Sequence, residues 1–219
     1  MSGILLTGFG PFAGEAENPS GLIASALDGQ VIAGQPVTGV VLPVSTSQAP
    51  RILDQAIASA GPHVLLALGV APGRNAVALE RAALNVRDFP IPDADGQQVI
   101  DEPVSADGPA AYLTGLPVKA ILAAWQDEGL PGYLSNTAGT YLCNQVFYLA
   151  AHRGLTAGFL AGLLHLPSLP GGAARSTPPS AVPQPSATLA TTEAMVRRAL
   201  EVTVTHRGAD LPLAAGALS

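Results

Sequence analysis

Thiols are almost absent from this chain: its 219 residues include one cysteine, Cys143. A lone cysteine cannot close an intramolecular disulfide, which excludes a secreted scaffold held by disulfides. Charge is scarce as well. Only 12% of residues are Asp, Glu, Lys or Arg, and 10 basic residues face 16 acidic ones, for a formal net charge of −6. A chain so poor in Lys and Arg has no electrostatic footprint for a nucleic-acid backbone or an anionic membrane. Low charge beside 48% hydrophobic residues argues against disorder and implies that some surface is buried between subunits. Long apolar runs are missing too. Each is broken by Gly, Pro or a polar residue, so no transmembrane helix is expected. The start, "MSGILLTGFGPF", has no basic region, and its apolar run is too short for a signal peptide. A soluble cytoplasmic protein is the expectation.

What is present is an alternation of strands and helices. "ILLT" (4–7) reads as a buried strand feeding the turn "GFGPFAG". Residues 18–27 predict a helix with Asn18 as N-cap and Pro19 at its first position. Strand-like 37–45, helical 47–60 and the apolar run 64–69 follow. This order is the signature of an α/β layered domain. Residues 78–86 are expected to form one strand, and the Pro- and Asp-rich 89–112 a long, partly ordered excursion. Residues 117–129 read as a helix stopped by Gly129. A short strand at 133–135, a helix from about Tyr141, a strand within 156–167 and a final helix at 191–206 complete the pattern. Residues 170–186 read as a low-complexity, mobile loop. Residues 1–206 form one expected domain, and 207–219 a tail without order.

Several residues bear chemistry. The turn after the first strand misses the dinucleotide fingerprint: Gly8 and Gly10 fit its spacing, but position 13 is alanine, which speaks against nucleotide binding. The same turn sets Phe9 and Phe12 at a strand's carboxyl end, where open α/β sheets bind ligands; equally, both rings suit a core. On a helix from Tyr141, the residues Leu142, Val146, Leu149 and Ala150 form a buried stripe. Cys143 lies one step off it, in the first turn, where the helix dipole favours a thiolate and the free amides suit an oxyanion. A small buried cysteine with no chemistry is the plainer reading.

A cysteine nucleophile needs a base, and four histidines are available. His63 sits in a turn, and His152 and His206 are expected at helix ends. His165 interrupts an apolar strand near its carboxyl end, as a satisfied core group or as a site residue. Alternation along 78–86 puts Glu80 on a face with Ala82, Leu84 and Val86, opposite Arg81, Asn85 and Arg87. A glutamate on an apolar face is costly unless paired. That pairing would suit the carboxylate that orients a catalytic imidazole.

With these residues in view, the chain resembles the pyrrolidone-carboxylate peptidases (pyroglutamyl peptidase I), a family of cysteine peptidases. "SNTAGTYLCN" is similar to that family's cysteine signature, "LLHLP" to its histidine segment and "GVAPGRNAVALER" to its glutamate segment. "TGFGPFAGEAENPS" and "IPDADGQQVIDEPVSADGPAAY" match as well, and the resemblance spans about residues 3–206. It implies a three-layer α/β/α sandwich with a twisted mixed sheet. It also implies a cytoplasmic enzyme, often a homotetramer, that uses no metal or cofactor and acts on peptides with an N-terminal pyroglutamate. By matching position it implies Cys143 as nucleophile, His165 as base and Glu80 as orienting acid. Phe9, Phe12 and Leu142 match the residues that border the pocket for the pyroglutamyl ring. Val70 and Pro90 depart from the family pattern, where many relatives have glutamine and arginine. Two alternatives stand beside this reading: a non-catalytic small-molecule binder on the same fold, and a cysteine amidohydrolase for another lactam-like substrate.

Overall fold

A computed structural model describes residues 3–172 and 184–216. Its main sheet has seven strands in the order β2-β3-β1-β4-β9-β5-β8. The strands are β1 (Ile4–Phe9), β2 (Val31–Ile32), β3 (Gln35–Leu42), β4 (Val64–Val70), β5 (Val77–Glu80), β8 (Gly132–Ser135) and β9 (Leu160–Leu166). The run β3-β1-β4-β9 is parallel, β9 meets β5 antiparallel, and β5 meets β8 parallel, so the sheet is mixed.

Both faces of this sheet are covered, which is why β1 and β4 read as unbroken apolar runs. On one face Ile4, Leu6, Leu66 and Leu164 pack with α1 (Pro19–Leu27), α3 (Val118–Asp127) and α5 (Leu189–Thr205). On the other, Leu5, Phe9, Leu65 and Leu163 pack with α2 (Gln48–Ala60) and α4 (Leu142–Ala157). The result is the three-layer α/β/α sandwich that the resemblance implied.

The α1 start follows its sequence closely. Asn18 accepts from the Ser20 backbone N–H at 3.1 Å, with Pro19 opening the helix. The Ser20 hydroxyl in turn accepts from the Phe9 N–H at 2.9 Å. A side chain at Gly8 would overlap the Ser20 backbone, so glycine there lets α1 lie directly on β1.

Three expectations need correction. Residues 78–86 do not form one strand. The chain leaves the main sheet at Arg81, whose N–H donates to Ser135 and whose carbonyl accepts from Thr114, both at 2.8 Å. It then enters a two-stranded sheet, β6 (Ala82–Leu84) with β7 (Ala111–Leu113). Glu80 therefore shares no face with Ala82 and Leu84: all of β5 is buried, and in β6 Ala83 is the buried residue. The excursion 89–112 is ordered throughout. Buried Asp93 accepts the N–H groups of Thr46, Asp95 and Gln97 at 2.8–2.9 Å. Side-chain bonds of this kind replace a backbone ladder and are invisible to periodicity. Finally, α4 runs to Ala157, so His152 is mid-helix, its Nδ1 2.6 Å from the Tyr112 hydroxyl.

Of the loop 170–186, residues 173–183 lie outside the described residues, as do 217–219 of the tail. Within the tail, Asp210 accepts the N–H groups of Lys119 and Ala120 at 2.9 and 3.0 Å, at the start of α3.

Candidate active site

Sheet register brings the candidate side chains to one edge and one face. In the β4–β9 pair Gly69 lies opposite His165. In the β9–β5 pair Glu80 lies opposite Leu163, two residues from His165. Opposed residues point to the same face, and diagonal neighbours are within reach of long side chains. Glu80 and His165 thus meet on the face that α4 covers, and His165 Nδ1 lies 2.7 Å from Glu80 Oε1. The helix delivers Cys143 to the same place. A Cβ built on Gly69 would fall 2.5 Å from Cys143 Sγ and 3.1 Å from His165 Cδ2. The bare backbone of Gly69 is therefore the floor on which the thiol and the imidazole sit.

The start of α4 is held by side chains rather than capped. Buried Asn144 accepts from the Leu84 N–H and donates to the Leu84 and Val86 carbonyls at 2.8–3.0 Å. Gln145 donates to the Thr46 carbonyl at 3.0 Å and accepts from the Thr46 hydroxyl at 2.9 Å. Tyr141 takes the N-cap position in extended conformation with no side-chain cap, and no acidic residue occupies the first turn. The first N–H groups of a helix have no intrahelical acceptor. Such an uncapped start can receive an anion beside Cys143.

Burial pushes His165 down, but hydrogen bonding to Cys143 and its charge, followed by those of Glu80, outweigh it and raise the imidazole to about 9. Tyr141 is pushed up to about 12 by burial, then by Asp93 and Cys143; it stays neutral beside the thiol. Glu80 is fully buried and also takes a 2.7 Å bond from Arg74. Among the described residues no group of three or more His, Cys, Asp or Glu side chains is arranged to hold a metal.

A cavity of about 300 Å³ opens at Cys143, walled by Phe9, Phe12, Leu142, Tyr141 and Val70. Both phenylalanines line this cavity, and they differ in burial. Phe9 is 4% exposed and belongs to the core while its edge reaches the cavity. Phe12 is half-buried, its ring centre 6.1 Å from that of Tyr141. Val70 adds an apolar side chain to the wall, whereas Pro90 is exposed and off the cavity wall. Of the histidines, His165 meets both Cys143 and Glu80; His63 lies before β4, at the opposite edge of the sheet.

Sequence reasoning missed Arg74, Tyr141, Gly69 and Asn144. A signal existed for Arg74, the lone cation in an otherwise uncharged stretch before Glu80. Nothing local distinguishes Gly69 or Asn144, whose importance arises from contacts with distant segments.

The sequence model of a family described as pyroglutamyl peptidase matches residues 2–206. A pyrrolidone-carboxylate peptidase of Klebsiella pneumoniae is 42% identical over 221 residues, covering 99% of each chain. One from Chromobacterium violaceum is 48% identical over 175 residues, 80% of this chain and 82% of its own. Among solved structures, the pyrrolidone carboxyl peptidase from Thermococcus litoralis superposes with a TM-score of 0.90 at 36% identity. That match covers 93% of this chain and 94% of the other.

Proposed function

Since this chain belongs to the pyroglutamyl peptidase family, we propose that its activity runs on Cys143 as nucleophile, His165 as acid–base and Glu80 as the carboxylate that orients the imidazole. The enzyme removes an N-terminal pyroglutamyl residue from peptides. The observation that carries the residue assignment is the position of His165, bonded through Nδ1 to buried Glu80 and facing Cys143 across Gly69.

In the proposed sequence of steps, Nδ1–H donates to Glu80 and Nε2 takes the thiol proton before substrate is attacked, so that the reacting pair is a thiolate and an imidazolium. The sulfur attacks the carbonyl carbon that joins the pyroglutamyl group to the peptide. Negative charge moves to the carbonyl oxygen, where the free amides at the start of α4 can receive it. His165 returns its proton to the departing amine nitrogen, the C–N bond breaks and a thioester remains. The imidazole then takes a proton from water, hydroxide adds to the thioester, and free pyroglutamate leaves as the thiol is restored. Pyroglutamate is a neutral lactam with no free amine. Its recognition suits an apolar slot such as that between Phe9, Phe12 and Leu142, with few hydrogen bonds.

We also propose a cytoplasmic homotetramer. No described helix is long and apolar enough to cross a membrane. Large apolar side chains such as Leu155 and Leu113, 73% and 72% exposed, offer surface for subunit contact.

The residue assignment is tested at the thiol. Cys143→Ala should lower turnover of a pyroglutamyl-aminocoumarin substrate by about a thousandfold or more. Because Cys143 is the one thiol in the chain, one equivalent of iodoacetamide should abolish activity. Full activity after complete alkylation would sink the assignment.

A further inference from the structure

Glu80 Oε1 takes two donors at the same distance: His165 Nδ1 at 2.7 Å and Arg74 at 2.7 Å. Glu80 Oε2 is buried with no hydrogen-bond partner among the described residues. A fully buried carboxylate is unfavourable as an anion unless donors and charge compensate it, and here all compensation converges on one oxygen. The family mechanism needs His165 on that oxygen. It gives no reason for an arginine.

We propose that Arg74 is a positioning residue whose positive charge, delivered to Glu80 Oε1, balances the site so that Cys143 can rest as a thiolate. In the reactive state the cluster holds two anions, the Cys143 thiolate and Glu80, against one imidazolium. Arg74 supplies the second cation. Without it the cluster carries a net negative charge in a desolvated site and takes up a proton more readily. The proton can settle on sulfur, which removes the nucleophile. It can settle on Glu80, which is then no longer the anionic acceptor that holds Nδ1–H and stabilises the imidazolium. The assignment rests on the proposed roles of Cys143, His165 and Glu80.

The other ionisable groups around the cluster do not supply this charge. Tyr141, at the head of α4, stays neutral. Asp93 lies behind it with its oxygens taken by backbone N–H groups. Glu15 and Glu17 are acidic and line the cavity mouth. Arg81, next to Glu80 in sequence, lines a separate cavity with Lys119 and His206. Tyr133 on β8 contributes a ring face, 6.0 Å from the Arg74 guanidinium. Arg74 itself is only one-quarter exposed, so its bond to Glu80 is shielded more than a surface ion pair would be.

The test is the pH dependence of iodoacetamide labelling at Cys143 in wild type, Arg74→Met and Arg74→Lys, with kcat and the denaturant midpoint measured alongside. Removing a nearby cation raises the pH at which the thiolate forms. Arg74→Met should therefore move the acid-side midpoint upward by about one pH unit. Arg74→Lys keeps the charge and should keep the wild-type midpoint, while kcat falls because an ammonium does not reproduce the placement of the planar guanidinium. A purely structural arginine would lower stability and kcat without moving the midpoint, and an unmoved midpoint in folded Arg74→Met overturns the proposal. If the Met variant does not fold, a one-unit shift in Arg74→Lys overturns it equally. Wild-type enzyme that stays active after full alkylation would remove the triad assignment, and the proposal with it.

Discussion

His165 is buried between the Cys143 thiol and the Glu80 carboxylate, and in the proposed mechanism its protonation decides which half of the reaction can proceed. Held near 9 against the pull of burial, it stays protonated at neutral pH, the form the proposed mechanism needs to protonate the leaving amine. The sign follows: activity persists below that value and is lost as pH rises through it. We expect kcat/KM to fall with a base-side midpoint near 9, measured on a small pyroglutamyl substrate. Glu80→Gln removes one of the anions that raise the imidazole, so the same limb should move down by roughly one unit. A limb that stays in place in the folded Gln variant would contradict the role given to Glu80. Glu80 was legible in the sequence as a carboxylate needing a partner, although the alternation used to find it fails at Arg81. Arg74 stood out only as the lone cation before Glu80; its contact was not legible, because a spacing of six residues across a loop does not reveal that two side chains meet.

At the scale of elements, the start of α4 carries the proposed nucleophile, and its placement depends on segments far away in sequence. Asn144 bonds to Leu84 and Val86 on and beside β6, and Gln145 to Thr46 after β3. Asn144→Ala would strand three part-buried backbone groups. It should lower stability by about 1–3 kcal/mol, the usual cost of unsatisfied buried polar groups. Catalytic efficiency should fall further than the unfolded fraction explains, because the turn holding Cys143 loses its anchor. Chemical denaturation and kcat/KM on the same sample check both parts, and an unchanged denaturant midpoint would show the clamp to be idle. The helix itself was legible, from the periodicity of Leu142, Val146, Leu149 and Ala150, all buried. The clamp was not, since asparagine is also a common turn and cap residue.

The whole molecule is poor in charge, and several large apolar side chains stay outside the core of one chain. Val31 and Ile100, each 66% exposed, join Leu155 and Leu113 on the surface. Such area is partly normal for a monomer, but with only 12% charged residues it also favours association. Light scattering on the purified protein should give a mass near 88 kDa, four times the 22.0 kDa of one chain. A mass of one chain at micromolar concentration would count against the tetramer.

Sequence alone determined the layered α/β architecture, because buried parallel strands must be continuous apolar runs and the helices between them must be amphipathic. It also singled out Cys143, His165 and Glu80, each by a local conflict: a thiol at a helix start, an imidazole in an apolar strand, a carboxylate where burial is costly. Only the tertiary structure decided how they meet. Register places Gly69, His165 and Glu80 on one face, the break at Arg81 sends β6 out to hold Asn144, and Arg74 returns across its loop to the oxygen that His165 uses. Those are long-range pairings. Their free energy comes from groups brought together only on folding, so no local pattern in the chain records them.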